Sequence, residues 1–88
     1  MEIEEVLSSK PRIKILKLIV QLGALNVSDI GRRVKLNYSA TSEHLKLLEI
    51  EGILIQKSYG RIRIYKFNEN SPKAKALRNL IEVWEQNK

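Results

Sequence analysis

Apolar side chains recur at three- and four-residue intervals through the first half of the chain, which is the spacing of a helix with one buried face. The pattern predicts a short helix over residues 2–7. It predicts a second helix over residues 11–22, because Pro11 suits a first helical turn and Gly23 follows the last apolar position. Helices this short are unstable alone, so both must pack on a core.

Two more helices follow, separated by a very short connection. Asn26 suits the N-cap of the third helix and Asn37 that of the fourth, which Gly52 would end, so the fourth covers residues 37–51. Gly31 lies in the middle of the third helix, where glycine costs about 1 kcal/mol relative to alanine. That placement predicts that another helix passes close to it.

The periodicity changes from helical to alternating after the fourth helix. Residues 53–58 and 61–67 are rich in Ile, Tyr and Phe and predict two strands, joined by a tight turn at Tyr59-Gly60. A linker leads to a last helix over residues 71–86. No strand signal is obvious near Leu25, although a short third strand there would complete the sheet. The predicted fold class is α+β, a winged helix-turn-helix with a two- or three-stranded β-wing.

Composition and charge limit the kinds of binding partner, metal site and catalytic site that this chain can have. The chain has 88 residues, which suits a single domain. Its net charge of +6 suits a polyanionic partner and a solvated Lys-rich surface about equally. It has no cysteine, which excludes disulfides, thiolate metal sites and cysteine nucleophiles. No apolar run approaches the ~20 residues of a membrane span and the N-terminal segment is acidic, so we expect a cytoplasmic protein with no membrane partner. His44 is the only histidine and no triad, phosphate loop or metal-ligand spacing is present, so neither an enzyme nor a cofactor is expected.

Three stretches of the chain carry a resemblance to a known family: SSKPRIKILKLIV, LNVSDIGRRVKLNYSATSEHLKLLEIEGIL and KSYGRIRIYKF. They resemble the winged-helix DNA-binding regulators of the arsenic-repressor (ArsR-like) type and their archaeal relatives. The most specific part is LNYSATSEHLKLLEIEGIL, with its N-cap, its serines and its terminating glycine. The length predicts one domain over residues 1–88. The resemblance implies a winged-helix core over residues 8–67, with double-stranded DNA as the partner in the control of transcription.

The sequence departs from that family in two places. Metal-sensing members carry paired cysteines in the helix that begins here at Asn26, whereas this chain has Asn26 and Ser28 and no thiol anywhere, so a metal switch through cysteine is excluded. Glu43 stands where many relatives carry arginine. A carboxylate is repelled by nearby phosphates, unless it accepts a hydrogen bond from cytosine N4 or holds a neighbouring cation.

A helical wheel divides the fourth helix into a side that faces the core and a side that faces solvent. Thr41, Leu45 and Leu48 fall on the core side. An α-helix fits the major groove of B-DNA and meets base edges with its N-terminal residues, so we assign the solvent side to DNA recognition. The candidate recognition residues are Asn37, Tyr38, Ser39, Ser42, Glu43 and Lys46.

Basic and polar residues cluster at the tip of the predicted hairpin. The candidate wing residues are Lys57, Ser58, Tyr59, Arg61 and Arg63. As a wing over residues 57–63, they would lie on the DNA backbone or in the minor groove, with Arg61 nearest the groove. A solvated turn, whose charges protect the edge of the sheet, is the alternative.

The last helix carries apolar residues three and four apart, the seam of a coiled coil. Its cations lie in the first half while Glu82 and Glu85 lie in the second, which opposes the helix dipole and which an antiparallel partner would offset. We therefore expect a homodimer, with residues 71–86 as its C-terminal dimerisation helix. The residues assigned to the dimer interface are Ile3, Val6, Leu7, Ala74, Leu77, Leu80, Ile81 and Trp84.

The leading hypothesis is a homodimeric, sequence-specific DNA-binding regulator that represses transcription. Two alternatives stay open. An architectural DNA-binding protein would share the wing and the charge but would not discriminate between sites. A winged helix used as a protein-interaction module would bind DNA no better than other proteins of this charge.

Overall fold

Five helices and one three-stranded antiparallel sheet make up the protein, and the computed structural model describes all of residues 1–88. In chain order the elements are α1 (Ile3–Leu7), α2 (Lys10–Leu22), β1 (Ala24–Asn26), α3 (Val27–Val34), α4 (Tyr38–Ile50), β2 (Leu54–Tyr59), β3 (Ile62–Phe67) and α5 (Pro72–Gln86). The predicted winged helix-turn-helix is confirmed: α3 and α4 form the helix-turn-helix, and β2 and β3 form the wing. None of the helices combines the length and the apolar character needed to cross a bilayer.

Polar caps determine where the helices begin. Asn26, Asn37 and Ser71 each accept a hydrogen bond from the backbone N–H three residues farther on. α2 begins one residue earlier than predicted, because the Ser9 hydroxyl accepts from the Arg12 backbone N–H at 3.3 Å. The caps that the sequence predicts for α3, α4 and α5 are therefore the caps in the structure.

The sheet has the strand order β1-β3-β2, and both pairings are antiparallel. The short strand β1 is present, so the wing sheet has three strands. The predicted turn at Tyr59-Gly60 is wrong by one residue, because Tyr59 is still paired with Ile62. The turn residues are Gly60 and Arg61, and Gly60 has a φ of 63°, which glycine adopts without strain.

α3 and α4 pass close to each other at Gly31. A Cβ atom on Gly31 would lie 2.9 Å from the Thr41 hydroxyl oxygen and 3.0 Å from the Leu36 carbonyl oxygen. The close approach predicted from this glycine is therefore confirmed. The chain turns between the helices at Lys35, which has a left-handed φ of 61°, and the Leu36 N–H donates to the Gly31 carbonyl oxygen at 2.9 Å. Both features keep the connection short.

The hydrophobic core lies where α2, α3 and α4 meet the inner face of the sheet. Thr41, Leu45 and Leu48 of α4 are fully buried, as the helical wheel predicts. Tyr65 of β3 is fully buried beside them, so its hydroxyl needs a polar partner. One side of α4 is thus held by the core, and the opposite side is left for a partner.

Candidate nucleic-acid interface

Five of the candidate recognition residues lie together on the solvent side of α4. They line one shallow, open depression: Tyr38, Ser39, Ser42, Glu43 and Lys46. Ser42 is half-buried and the other four are exposed. The depression offers hydroxyl groups, one carboxylate and one ammonium group, which together suit donors and acceptors on base edges.

Asn37, the sixth candidate, caps α4. Its side-chain oxygen accepts a hydrogen bond from the Ala40 backbone N–H at 2.7 Å. Its backbone carbonyl oxygen accepts one from the Thr41 hydroxyl at 2.8 Å. These bonds fix the N-terminus of α4, the end that would enter a groove. The Asn37 side chain therefore has a structural role, and its amide NH₂ group stays available for DNA.

The candidate wing residues lie on two faces of the hairpin. Ser58 is paired directly with Arg63, so both lie on the inner face, toward the core and α4. Lys57 and Tyr59 lie on the outer face, because side chains alternate along a strand. Arg61 is in the turn and exposed. Ser58 and Arg63 thus face away from Lys57 and Tyr59, and Arg61 is the exposed cation in the turn.

Arg63 joins the wing to α4. Its Nη1 donates to the Tyr38 hydroxyl and to the Ser42 hydroxyl, both at 3.4 Å. Its Nη2 donates to the Tyr65 hydroxyl at 2.8 Å, and its Cζ lies 5.7 Å from the centroid of the Tyr65 ring. The structure thus joins one candidate wing residue, Arg63, to two candidate recognition residues on α4, Tyr38 and Ser42.

Tyr65 and Glu49 complete this arrangement, and neither is among the candidate residues predicted from the sequence. The Tyr65 hydroxyl donates to Glu49 Oε1 at 3.2 Å, with Gln56 Oε1 as a second acceptor at 3.5 Å. Burial raises the pKa of Tyr65, and the hydrogen bond to Tyr65 raises the pKa of Arg63, so the phenol is neutral and the guanidinium charged at pH 7. Alternation is the signal that would have found Tyr65, since it is two residues from Arg63 and shares its face.

His44 lies on the flank of α4 and is half-buried, with no hydrogen-bond partner for its Nδ1. Burial lowers the pKa of His44, and repulsion from the Arg12 guanidinium lowers it further. The imidazole is therefore neutral at pH 7. No three His, Asp or Glu side chains lie close enough together to hold a metal ion.

α1 and α5 present a continuous apolar surface. Ile3, Leu7, Leu80 and Trp84 are exposed, Trp84 by 70%. Leu7, Leu77 and Leu80 line both apolar grooves on this face, so the grooves join into one surface. An exposed apolar patch of this kind marks an interaction site.

Three residues assigned to the dimer interface belong instead to the protomer core. Val6, Ala74 and Ile81 are buried there, because α1 and α5 pack on the body of the domain. The charge on α5 is already offset in part within the protomer, because Glu85 forms an ion pair with Lys17 of α2 at 3.1 Å. The exposed apolar residues are the remaining reason to expect a dimer.

Comparison with known proteins gives the family. The sequence model described as "Bacterial regulatory protein, arsR family" matches residues 9–56, which is more than half of the chain. The match begins at the cap of α2, includes the whole helix-turn-helix and ends in β2. It therefore covers the surface of α4 described above.

Solved structures of similar fold cover nearly the whole chain. HlyU from Vibrio cholerae is 23% identical with a TM-score of 0.79, over 94% of this chain and 87% of that one. The homodimeric winged helix-turn-helix DNA-binding domain of Mb0332 from Mycobacterium bovis is 23% identical with a TM-score of 0.75, over 93% and 73% of the two chains. The transcriptional repressor PagR of Bacillus anthracis is 26% identical with a TM-score of 0.72, over 91% and 85%. The chain belongs to the arsR family of bacterial regulatory proteins, and it is a winged-helix DNA-binding transcriptional regulator rather than an enzyme.

Proposed function

We propose that this regulator binds a specific double-stranded DNA site as a homodimer and represses transcription by occupying a promoter. The observation that carries the proposal is the solvent side of α4, where five candidate recognition residues line one depression beside the wing. The description of PagR as a transcriptional repressor supports the direction of control. A protein with this task works in the compartment that holds the DNA, in agreement with the expected cytoplasmic location.

α4 is the element that enters the major groove in this proposal. Its core side is fixed by Thr41 and Leu45, so the helix presents a rigid face. Ser42 and Lys46 lie one helical turn apart on that face and would meet adjacent base edges or a phosphate. Glu43 is exposed between them, and it favours sequence reading, because a carboxylate in a purely phosphate-binding surface would only repel.

The wing contacts the backbone or the minor groove beside that site. Arg61 is exposed in the turn and borders a cleft with residues of α3 and with Tyr38 of α4, which places it next to the recognition surface. A guanidinium there would bind phosphate or enter a narrow minor groove. Lys57 on the outer face would add to the positive field without touching the same phosphate.

The dimer uses the apolar surface of α1 and α5. Ile3, Leu7, Leu77, Leu80 and Trp84 are its proposed contact residues. The homodimeric Mb0332 domain has the same fold, which supports a second copy of this chain, rather than an unrelated protein, as the partner that covers the apolar surface. Two copies related by a two-fold axis would place two α4 helices about 34 Å apart, on a palindromic site.

Replacing both Ser42 and Lys46 by alanine tests the recognition surface. The double variant is expected to lose about tenfold or more in affinity for the selected site, since each good base contact contributes about 1–3 kcal/mol. Its thermal unfolding should be unchanged, because Lys46 is exposed and Ser42 is only half-buried. Fluorescence anisotropy with a labelled duplex measures the first and circular dichroism the second. Unchanged affinity in a folded double variant would show that this face does not read DNA.

Replacing Arg61 by alanine tests the wing. The variant should bind every duplex more weakly by about the same factor, and the slope of log K against log salt should flatten by about one unit. Lys75→Ala is the matched control, since Lys75 is an exposed cation on α5. It should leave the slope unchanged. A loss confined to one sequence would instead make Arg61 a base-reading residue.

A further inference from the structure

We propose that Tyr65 and Glu49 are positioning residues for sequence reading: they hold Arg63 against Tyr38 and Ser42, so that the wing and α4 meet DNA as one rigid unit. The inference rests on the proposed function and deepens it, because it concerns how the recognition surface is fixed. It also changes the role of Arg63, which the sequence alone predicts to be a wing residue on the DNA backbone or in the minor groove.

The hydrogen bonds around Arg63 and Tyr65 can run in only one direction. A guanidinium carries N–H donors and no acceptor, so the Tyr38, Ser42 and Tyr65 hydroxyl oxygens must all accept from Arg63. The Tyr65 proton then points away from Arg63 and toward Glu49 Oε1, 3.2 Å away. The sequence of bonds runs from the wing through Tyr65 and back to α4.

Burial makes this arrangement rigid. Tyr65 has no exposed surface, so the close packing around its ring keeps its hydroxyl in one position. The bond from Arg63 to Tyr65 is short, at 2.8 Å, whereas those to Tyr38 and Ser42 are long, at 3.4 Å. Tyr65 therefore holds the guanidinium most closely, and the guanidinium in turn contacts both hydroxyl groups of α4.

The position of Arg63 gives it access to sequence. Tyr38 and Ser42 lie in the first two turns of α4, the part of a recognition helix that meets base edges. A guanidinium has five N–H donors, and the three contacts leave donors free to point at a base or at the phosphate beside it. Loss of Tyr65 support should thus affect discrimination between sequences more than general attraction to DNA.

The test replaces Tyr65 by phenylalanine and measures the affinity for two duplexes. One carries the site enriched from a random pool, and the other is a scrambled duplex of the same length and composition. The specificity ratio between them is expected to fall about tenfold, while the affinity for the scrambled duplex and its salt slope stay unchanged. A merely structural role would lower both affinities together. Ser8→Ala, which also removes one hydroxyl group but at an exposed position outside the recognition helix and the wing, is the control and should leave the ratio unchanged.

A double-mutant cycle assigns the effect to Arg63. In an Arg63→Ala background, Tyr65→Phe should cause no further loss of specificity, because the residue that it positions is gone. Arg63→Lys keeps the charge without the planar fork and should reproduce the loss, so the proposal stays testable even where Tyr65→Phe unfolds. An unchanged ratio in Tyr65→Phe, or additive losses in the cycle, would overturn the positioning role alone. A wild-type protein that binds both duplexes equally would overturn the proposed function and this inference with it.

Discussion

Replacing Leu80 by glutamate is expected to separate the dimer and to weaken binding to a palindromic site by about 100-fold or more. Leu80 is 49% exposed and lines both apolar grooves on the α1 and α5 face, so a carboxylate there would lie in the middle of the proposed interface. Burial of an unpaired charge is strongly unfavourable. A monomer would hold only one half-site, and the gain from joining two binding units would be lost.

Leu22→Glu is the matched control for the dimer variant. Leu22 is 48% exposed at the end of α2 and lines neither groove, so the same change of charge is made outside the proposed interface. Sedimentation should show a dimer for the wild type and for Leu22→Glu, and a monomer for Leu80→Glu. A stable wild-type monomer at micromolar concentration would refute the dimer, and a dimeric Leu80→Glu would move its interface elsewhere.

Replacing Gly31 by valine is expected to lower the free energy of unfolding by about 3 kcal/mol, a large part of the stability of a small domain. The first added carbon would already lie 2.9 Å from the Thr41 hydroxyl oxygen and 3.0 Å from the Leu36 carbonyl oxygen. The backbone oxygen cannot move aside as a flexible side chain would. α3 and α4 would have to separate, so the helix-turn-helix would lose its geometry and DNA binding would fall with stability.

Arg33→Val separates this steric effect from the poor helix propensity of valine. Arg33 is exposed in the same helix, so its replacement should cost less than about 1 kcal/mol. Gly31→Ala with Thr41→Ala should be less destabilised than the sum of the two single variants, because the second change removes the nearer contact. Chemical denaturation followed by circular dichroism measures all of these variants. A Gly31→Val protein as stable as the wild type would mean that the helices do not pack closely there.

The helices could be predicted well because their signals are local. Asn26, Asn37 and Ser71 act as caps within three residues of their own position. The close packing of α4 against α3 could be predicted from Gly31, because glycine inside a helix is unfavourable unless another helix packs against it. The buried side of α4 followed from its 3.6-residue period, which burial of Leu45 and Leu48 confirms.

The parts that the sequence did not predict depend on pairing between distant segments. β1 has only three residues and exists because β3 lies beside it, so no local pattern marks it. The turn moved by one residue because cross-strand pairing extends as far as Tyr59 and Ile62. The two partners of Arg63 on α4 could not be predicted either, because they are 21 and 25 residues away along the chain.

The sequence pattern of α5 could not show which of its apolar residues pack on the same protomer. A stripe at three- and four-residue spacing is the same whether it packs on its own domain or on a second copy. Ala74 and Ile81 pack on their own domain, while Leu80 and Trp84 on the neighbouring side of the helix remain exposed. Only the position of α5 against the core separates the two sets.

Selection from a random duplex pool at about 150 mM salt is the experiment for sequence-specific binding by a homodimer, with the affinity of the recovered fragments followed across salt. We expect an enriched inverted repeat whose half-sites are about 10 bp apart from centre to centre. Binding with a steep salt dependence and no enriched site would contradict sequence reading and favour an architectural protein. No retention of any duplex would mean that the surface formed by α4 and the wing meets another protein.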